Sequence, residues 1–429
     1  MRNPWWLVLG ALLCAASMGL YLQRVVIPYQ IADAAAHGRP RGNFSDLYPR
    51  WLGARELLLR GRDPYSSDVT REIQTGYYGR PLDSSRPEDP KDEQRFAYPV
   101  YVVFVLAPTV GLPFEIVQKG FFWALLLFTI AGVLLWLRIL QWSPPPWTQL
   151  SLILLTIGSP AVMQGLKLRQ LSLLVAAMVC AALVLLVSDH LDAAGCLLAV
   201  ATIKPQLVWL LLLWLALWTA SDYRRRYRLA VSFLITMIVL VAASELWLPQ
   251  WIPRFWDALR EYQRYTGAAS VIHKMISPAV GRTVTLFSLA MTGVIAWRER
   301  SQVANSQAFA RMLCLILSVT VLVAPTVAPY NQILLLPALL MLASDWGGIR
   351  KYGMAGTFLI GLMAVAIGWP WMSSIVLATL SFVLPAKIVQ EFWNVPFWTV
   401  WLIPVSVAAL MLIVAHRGSF HGSKERVPA

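Results

Sequence analysis

Long apolar runs, separated by short polar joints, set the rhythm of this chain. By length and hydropathy they fall at 5–27, 98–112, 117–140, 147–165, 170–188, 193–219, 229–248, 278–297, 309–326, 330–344, 352–371 and 396–415. A membrane-spanning helix needs about 20 mainly apolar residues. The runs are continuously apolar, without the alternation of a barrel strand, so helices are the spanning element. The pattern predicts an all-α, polytopic membrane domain over 1–429 with about 12 transmembrane helices and both termini on the cytoplasmic side. Run 98–112 is short and carries Pro99 and Pro108. Run 193–219 contains Lys204-Pro205, so one span and a broken pair both fit. Residues 374–384 are too short to cross and are expected at the outer interface.

Two polar stretches break the rhythm. Residues 28–97 form the first external loop and hold roughly half of the acidic residues, balanced by Lys and Arg. Within it, Leu47, Trp51, Ala54, Leu57 and Leu58 share helical spacing, with Arg50, Arg55 and Arg60 as polar partners. That predicts a helix over 47–59 lying on the membrane surface, which makes the loop partly helical. Arg80 to Arg95, rich in Pro, Asp and Glu, reads as a solvated loop. Residues 249–277 are the second external loop, where Trp251, Trp256, Tyr262 and Tyr265 among charges predict another interfacial helix.

Composition agrees with lipid as the solvent. The chain of 429 residues is 58% hydrophobic and only 14% charged, whereas soluble domains run nearer 25% charged. Trp5-Trp6, Trp247, Trp251 and Trp369 sit at run ends, where membrane interfaces favour tryptophan. The net charge of +14 is not read as a nucleic-acid footprint. The positives cluster in short joints, as in Arg224-Arg225-Arg226, Arg298/Arg300, Arg350-Lys351 and Arg417/Lys424/Arg426, which is the positive-inside signature. Cys14, Cys180, Cys196 and Cys314 lie inside apolar runs and read as small packing residues. The first apolar run is too long for the usual signal peptide and reads as a retained anchor, although Ala34-Ala35-Ala36 leaves cleavage open.

The chemistry-bearing residues are few. A phosphate-binding loop, HExxH, CxxC, Gly-x-Ser-x-Gly and DxD are all absent, so nothing in the sequence supports ATP-driven or zinc chemistry. Lys204 stands in an otherwise apolar run beside a helix-breaking proline. An ionisable residue there is expensive and points to an anion site, with a snorkelling lysine as the plain alternative. Arg169 and Gln170 fit the same cavity or a cytoplasmic joint. Asp46 directly precedes an amphipathic helix, so spacing alone favours an N-cap. Asp63, in Gly61-Arg62-Asp63-Pro64-Tyr65, reads as a turn residue. His273 lies near an outer boundary, and Tyr330-Asn331-Gln332 groups three hydrogen-bonding side chains suited to sugar hydroxyls, a phosphate or ordinary interface solvation.

The order of these features resembles the polyprenol-phosphate-mannose-dependent mannosyltransferases of glycosyltransferase family 87, which have the GT-C membrane fold. Four stretches carry the resemblance: Asp46-Leu47-Tyr48 through Asp63-Pro64-Tyr65; Phe96-Ala97-Tyr98-Pro99 through Ala107-Pro108; Gln170-Leu171-Ser172 with Ala194-Gly195 and Ile203-Lys204-Pro205-Gln206; and Ala324-Pro325 with Pro329-Tyr330-Asn331-Gln332 and Leu336-Pro337-Ala338. The chain departs from the family where Arg169 replaces a usual glycine, where Val100 replaces a second proline, and where a late histidine is missing. The resemblance implies a GT-C-like fold and an inverting transferase that needs no metal or other cofactor. It implies a polyprenyl-phosphate sugar donor, a glycolipid or glycan acceptor, and a site on the exterior face of a bacterial cytoplasmic membrane. Asp46 becomes the catalytic base, reversing the plain capping role. Lys204, Arg169 and Gln170 become donor-phosphate ligands, and Tyr48, Asp63, Tyr65, His273, Tyr330, Asn331 and Gln332 substrate contacts. Another donor sugar such as arabinose or glucose, a transporter or flippase of lipid-linked sugars, and a structural membrane subunit are the alternatives.

Overall fold

The computed structural model describes residues 4–39, 45–83, 85–267, 269–325, 328–346 and 353–424. Every regular element among them is helical. Among the described residues six helical stretches are long and apolar enough to cross a membrane: α1 (Trp5–Ala36), α5 (Phe114–Ile139), α11 (Tyr223–Trp247), α14 (Pro278–Glu299), α17 (Gly353–Leu380, its 25-residue Gly356–Leu380 part) and Ala386–His416, which holds α18 (Ala386–Gln390) and the first part of α19 (Leu402–Lys424). A seventh is formed if the bent pair α6 (Pro146–Ile157) and α7 (Pro160–Leu168), broken by 55°, counts as one span. The remaining apolar helices, α8 (Leu171–Val187), α9 (Leu191–Ala201), α10 (Pro205–Ser221), α15 (Gln307–Val323) and α16 (Leu336–Ser344), are shorter. Among the described residues helix length alone therefore counts six or seven spans, and the expected count of about twelve is not reached by this measure.

The outer surfaces of these helices are what a lipid-facing surface requires. Leu9, Leu12 and Leu13 on α1, Trp123 and Leu127 on α5, Leu234, Ile235, Ile238 and Val239 on α11, and Leu286 and Phe287 on α14 are all exposed. Water would penalise such apolar area, and hydrocarbon does not. Inside, helices approach closely through small residues. At Gly195 on α9 a side chain would meet the Leu229 carbonyl of α11 at 2.5 Å.

Several elements depart from the expected runs. Run 98–112 is not a span. It folds as the short buried α4 (Val102–Leu106) and a 3-10 turn, Ala107–Thr109, consistent with its two prolines. Run 193–219 takes the broken form, because the residue before Pro205 is driven from the helical region: Lys204 has φ −126° and ψ 74°. Run 330–344 begins as a 3-10 turn, Pro329–Leu335, before α16. Residues 374–384 are not a separate interface piece, since α17 runs through Pro370 to Leu380. The basic residues Arg350, Lys351 and Arg426 lie outside the described residues, as do the side chains of Arg417, Lys424 and Tyr265.

The two polar stretches fold onto each other and onto the helices. The first contains α2 (Leu47–Arg60) and α3 (Ser67–Tyr78). The α2 helix forms as its spacing predicts, but protein surrounds it: Arg50 and Glu56 are buried as well as Leu47, Trp51, Ala54 and Leu57. It closes on Gly61 at φ 65°, a left-handed residue that ends helices cheaply when it is glycine. The second stretch supplies the amphipathic α12 (Trp251–Thr266) and the short α13 (Val271–Met275). Arg254 pairs with Asp63 at 2.6 Å, and Arg95 pairs with Glu261, so α12 is strapped to the first stretch.

Candidate active site

Three helix starts meet at one place. Asp46, Gln170 and Lys204 are the residues before the first turns of α2, α8 and α10, and none of them spends its side chain on capping its own helix. They bond to one another instead. The Gln170 amide Nε2 donates to Asp46 Oδ2, and its Oε1 accepts from Lys204 Nζ at 2.9 Å. Lys204 also donates to Ser172 Oγ at 2.5 Å, and that hydroxyl donates to Asn331 Oδ1 at 2.8 Å. Gln170, Ser172, Lys204 and Asn331 are buried, while Asp46 is half-buried. Among the described residues Lys204 has no carboxylate at ion-pair distance. A buried ammonium held only by neutral oxygens costs several kcal/mol and favours an anion beside it. The positive ends of three helix dipoles act in the same sense.

Aromatic rings and the second stretch complete the enclosure. The Lys204 Nζ lies 5.0 Å from the Tyr330 ring centroid and 6.0 Å from that of Tyr98, and the Arg50 guanidinium lies 4.8 Å from the Tyr98 ring. Arg50 also donates to the backbone carbonyl of Asp46 at 2.7 Å. A cavity of about 160 Å³ is bounded by Arg50, Tyr98, Gln170, Lys204, Tyr330 and Asn331, and α12 covers it with Phe255, Leu259, Tyr262 and Gln263. Tyr101 fixes the break in front of Lys204, because its hydroxyl meets the Thr202 carbonyl and Oγ1, each at 3.0 Å.

The expected residues divide into those at the cavity and those that support it. Asp46, Gln170, Lys204, Tyr330 and Asn331 are at the site or bonded into it. Gln332 turns the other way: it donates to the Val400 carbonyl at 2.8 Å and borders a separate, largely apolar cavity of about 370 Å³. Tyr48 packs between Trp51 and Phe114. Asp63 accepts from the Tyr65 backbone N–H at 2.8 Å and anchors Arg254. The Tyr65 hydroxyl donates to the Tyr98 carbonyl at 2.6 Å, so both residues hold the Tyr98 wall in place. His273 sits in α13 against Gly281 and does not border the cavity.

Arg169 does not border the cavity either. Its guanidinium donates to the Gln118 carbonyl at 3.3 Å and the Lys167 carbonyl at 2.5 Å, against the Phe122 ring. Its φ of 49° is left-handed, a conformation that costs a non-glycine residue. Arg50 and Ser172 are the site residues that site-picking from sequence misses. Arg50 looked like a solvent-facing partner on an amphipathic helix, and Ser172 carries no charge to betray burial.

A bundle of apolar, membrane-type helices thus encloses a cation-lined cavity, to which the Asp46 carboxylate is bonded through Gln170. The sequence pattern of Glycosyltransferase family 87 matches residues 96–325, more than half of the chain, and the protein belongs to that family. It is therefore a glycosyltransferase. Tyr98, Gln170, Ser172 and Lys204 fall within the matched region, while Asp46, Arg50, Tyr330 and Asn331 lie outside it. No curated protein and no solved structure matches the chain.

Proposed function

We propose that the protein is an inverting glycosyltransferase that moves a sugar, with mannose the first candidate, from a polyprenyl phosphate to a glycolipid or glycan acceptor at the outer face of a bacterial cytoplasmic membrane. The observation that carries this reading is the continuous bond path from the Asp46 carboxylate through Gln170 to the buried Lys204 at one cavity. Asp46 takes the proton of the acceptor hydroxyl as its oxygen attacks the anomeric carbon. The carbon–oxygen bond to phosphate breaks, and the electron pair leaves with the prenyl phosphate. Attack from the face opposite that bond inverts the configuration. Lys204 binds the phosphate and offsets the charge that it gains, while the neighbouring helix starts add to the field. Gln332, next in the chain to Asn331, borders a second, largely apolar cavity that suits part of a prenyl chain. In this reading the shorter apolar helices also cross the membrane in part, towards the span count of about twelve.

The test is transfer by the purified protein. Polyprenyl phosphates carrying radiolabelled mannose, glucose or arabinose are offered with extracted membrane lipids as acceptors. Labelled glycolipid formed from one donor supports the reading and names the sugar. Transfer from nucleotide sugars alone defeats it.

A further inference from the structure

We infer that Arg50, not Arg169, is the second cation that grips the donor phosphate; this rests on the lipid-phosphate reading above. Four observations converge. Arg50 is buried, at 9% exposure, and borders the same cavity as Lys204. Both cations lie against the Tyr98 ring. The Arg50 Nε has no hydrogen-bond partner, and among the described residues the guanidinium has no carboxylate at ion-pair distance. Its NH1 is held by the Asp46 carbonyl.

Two buried cations beside one cavity repel each other, and a dianionic guest removes that cost. Donor and product differ in this respect. The phosphodiester of a prenyl phosphosugar carries one negative charge, whereas the prenyl phosphomonoester departs with the electron pair of the broken bond as a dianion and, with a second pKa of about 6, stays one at neutral pH. One cation matches the ground state, and the second matches the charge that appears as the sugar leaves. A guanidinium presents a fork suited to two phosphate oxygens. Because the same side chain holds the Asp46 backbone, it also fixes the distance between base and leaving group.

The experiment measures binding of undecaprenyl phosphate, undecaprenol and inorganic phosphate to the full chain in phosphatidylethanolamine nanodiscs. Arg50→Gln is expected to weaken undecaprenyl phosphate binding roughly tenfold to a hundredfold, as loss of a charge-assisted contact does. Undecaprenol, which lacks the phosphate, should bind both proteins alike; equal loss for the two lipids would make Arg50 a merely structural residue and overturn the inference. Arg50→Lys restores charge without the fork and should recover part of the affinity, which keeps the idea testable if the glutamine variant does not fold. Arg169→Gly, which suits the left-handed backbone, should bind as the parent does. If it loses binding while Arg50→Gln keeps it, the roles are reversed and the inference fails alone. Inorganic phosphate competing with the lipid in the parent, and less in Arg50→Gln, supports a phosphate contact. A parent protein that binds no undecaprenyl phosphate defeats both this inference and the reading beneath it.

Discussion

Asp46 stands directly before α2, where a carboxylate can cap the helix, and its side-chain bonds go elsewhere. Its side chain makes no cap, and Gln170 holds one of its oxygens. Asparagine caps about as well as aspartate, so a capping role would survive Asp46→Asn. A base would not. We expect this variant to lose at least about a hundredfold in turnover, within the range for general-base removal. Its yield, melting temperature and donor-lipid affinity should stay close to the parent. Near-normal turnover in a radiolabel transfer assay would remove Asp46 from the chemistry. Gln170 is the residue on which both halves depend, since it serves Asp46 and Lys204 together. Gln170→Leu should lower both turnover and phosphate affinity, whereas Asp46→Asn should lower turnover alone. Measuring the two constants separately checks that contrast.

At the scale of elements, the site is made of helix starts, and their placement depends on how the helices cross. The α9–α11 crossing is tight enough that Gly195 has the Leu229 carbonyl and Ser232 where a side chain would go. Backbone cannot yield as a flexible side chain does, so Gly195→Ala should cost about 1–3 kcal/mol. A larger residue should spread the pair and shift the break that carries Lys204. Thermal unfolding in detergent reads the first effect, and a rise in donor KM reads the second. A melting temperature unchanged by Gly195→Leu would mean that the crossing is looser than it looks. The break itself was legible in Lys204-Pro205, because the constraint that proline places on its predecessor is local. The departure of 98–112 from a span has a similarly local cause: its apolar residues are real, but Pro99 precedes and Pro108 follows one short helical piece.

For the whole molecule, the decisive quantity is which side of the membrane the strapped loops face. The cavity lies under α12, so the proposed transfer takes place on the side that α12 faces. Placed outside, a cysteine at the exposed Lys91 should react with a membrane-impermeant maleimide in intact spheroplasts of expressing cells. A cysteine at Arg225, exposed in the first turn of α11, should react only after lysis. The opposite pattern would invert the orientation and move the proposed transfer to the cytoplasmic face.

The sequence by itself determined the solvent and the secondary structure: long apolar runs demand hydrocarbon around them, and hydrocarbon demands helices with satisfied backbones. It also exposed Lys204, since a charge in an apolar run is conspicuous whatever the fold. Tertiary structure alone decided the partners. Gln170 meets Asp46 across 124 positions, and Ser172 meets Asn331 across 159. Hydropathy marks a polar residue as costly to bury but carries no record of which distant group relieves that cost. Arg50 shows the same limit from the other side. Helical spacing assigned it to a water-facing stripe, and only the folding of α12 over α2 turned that stripe into the wall of a cavity.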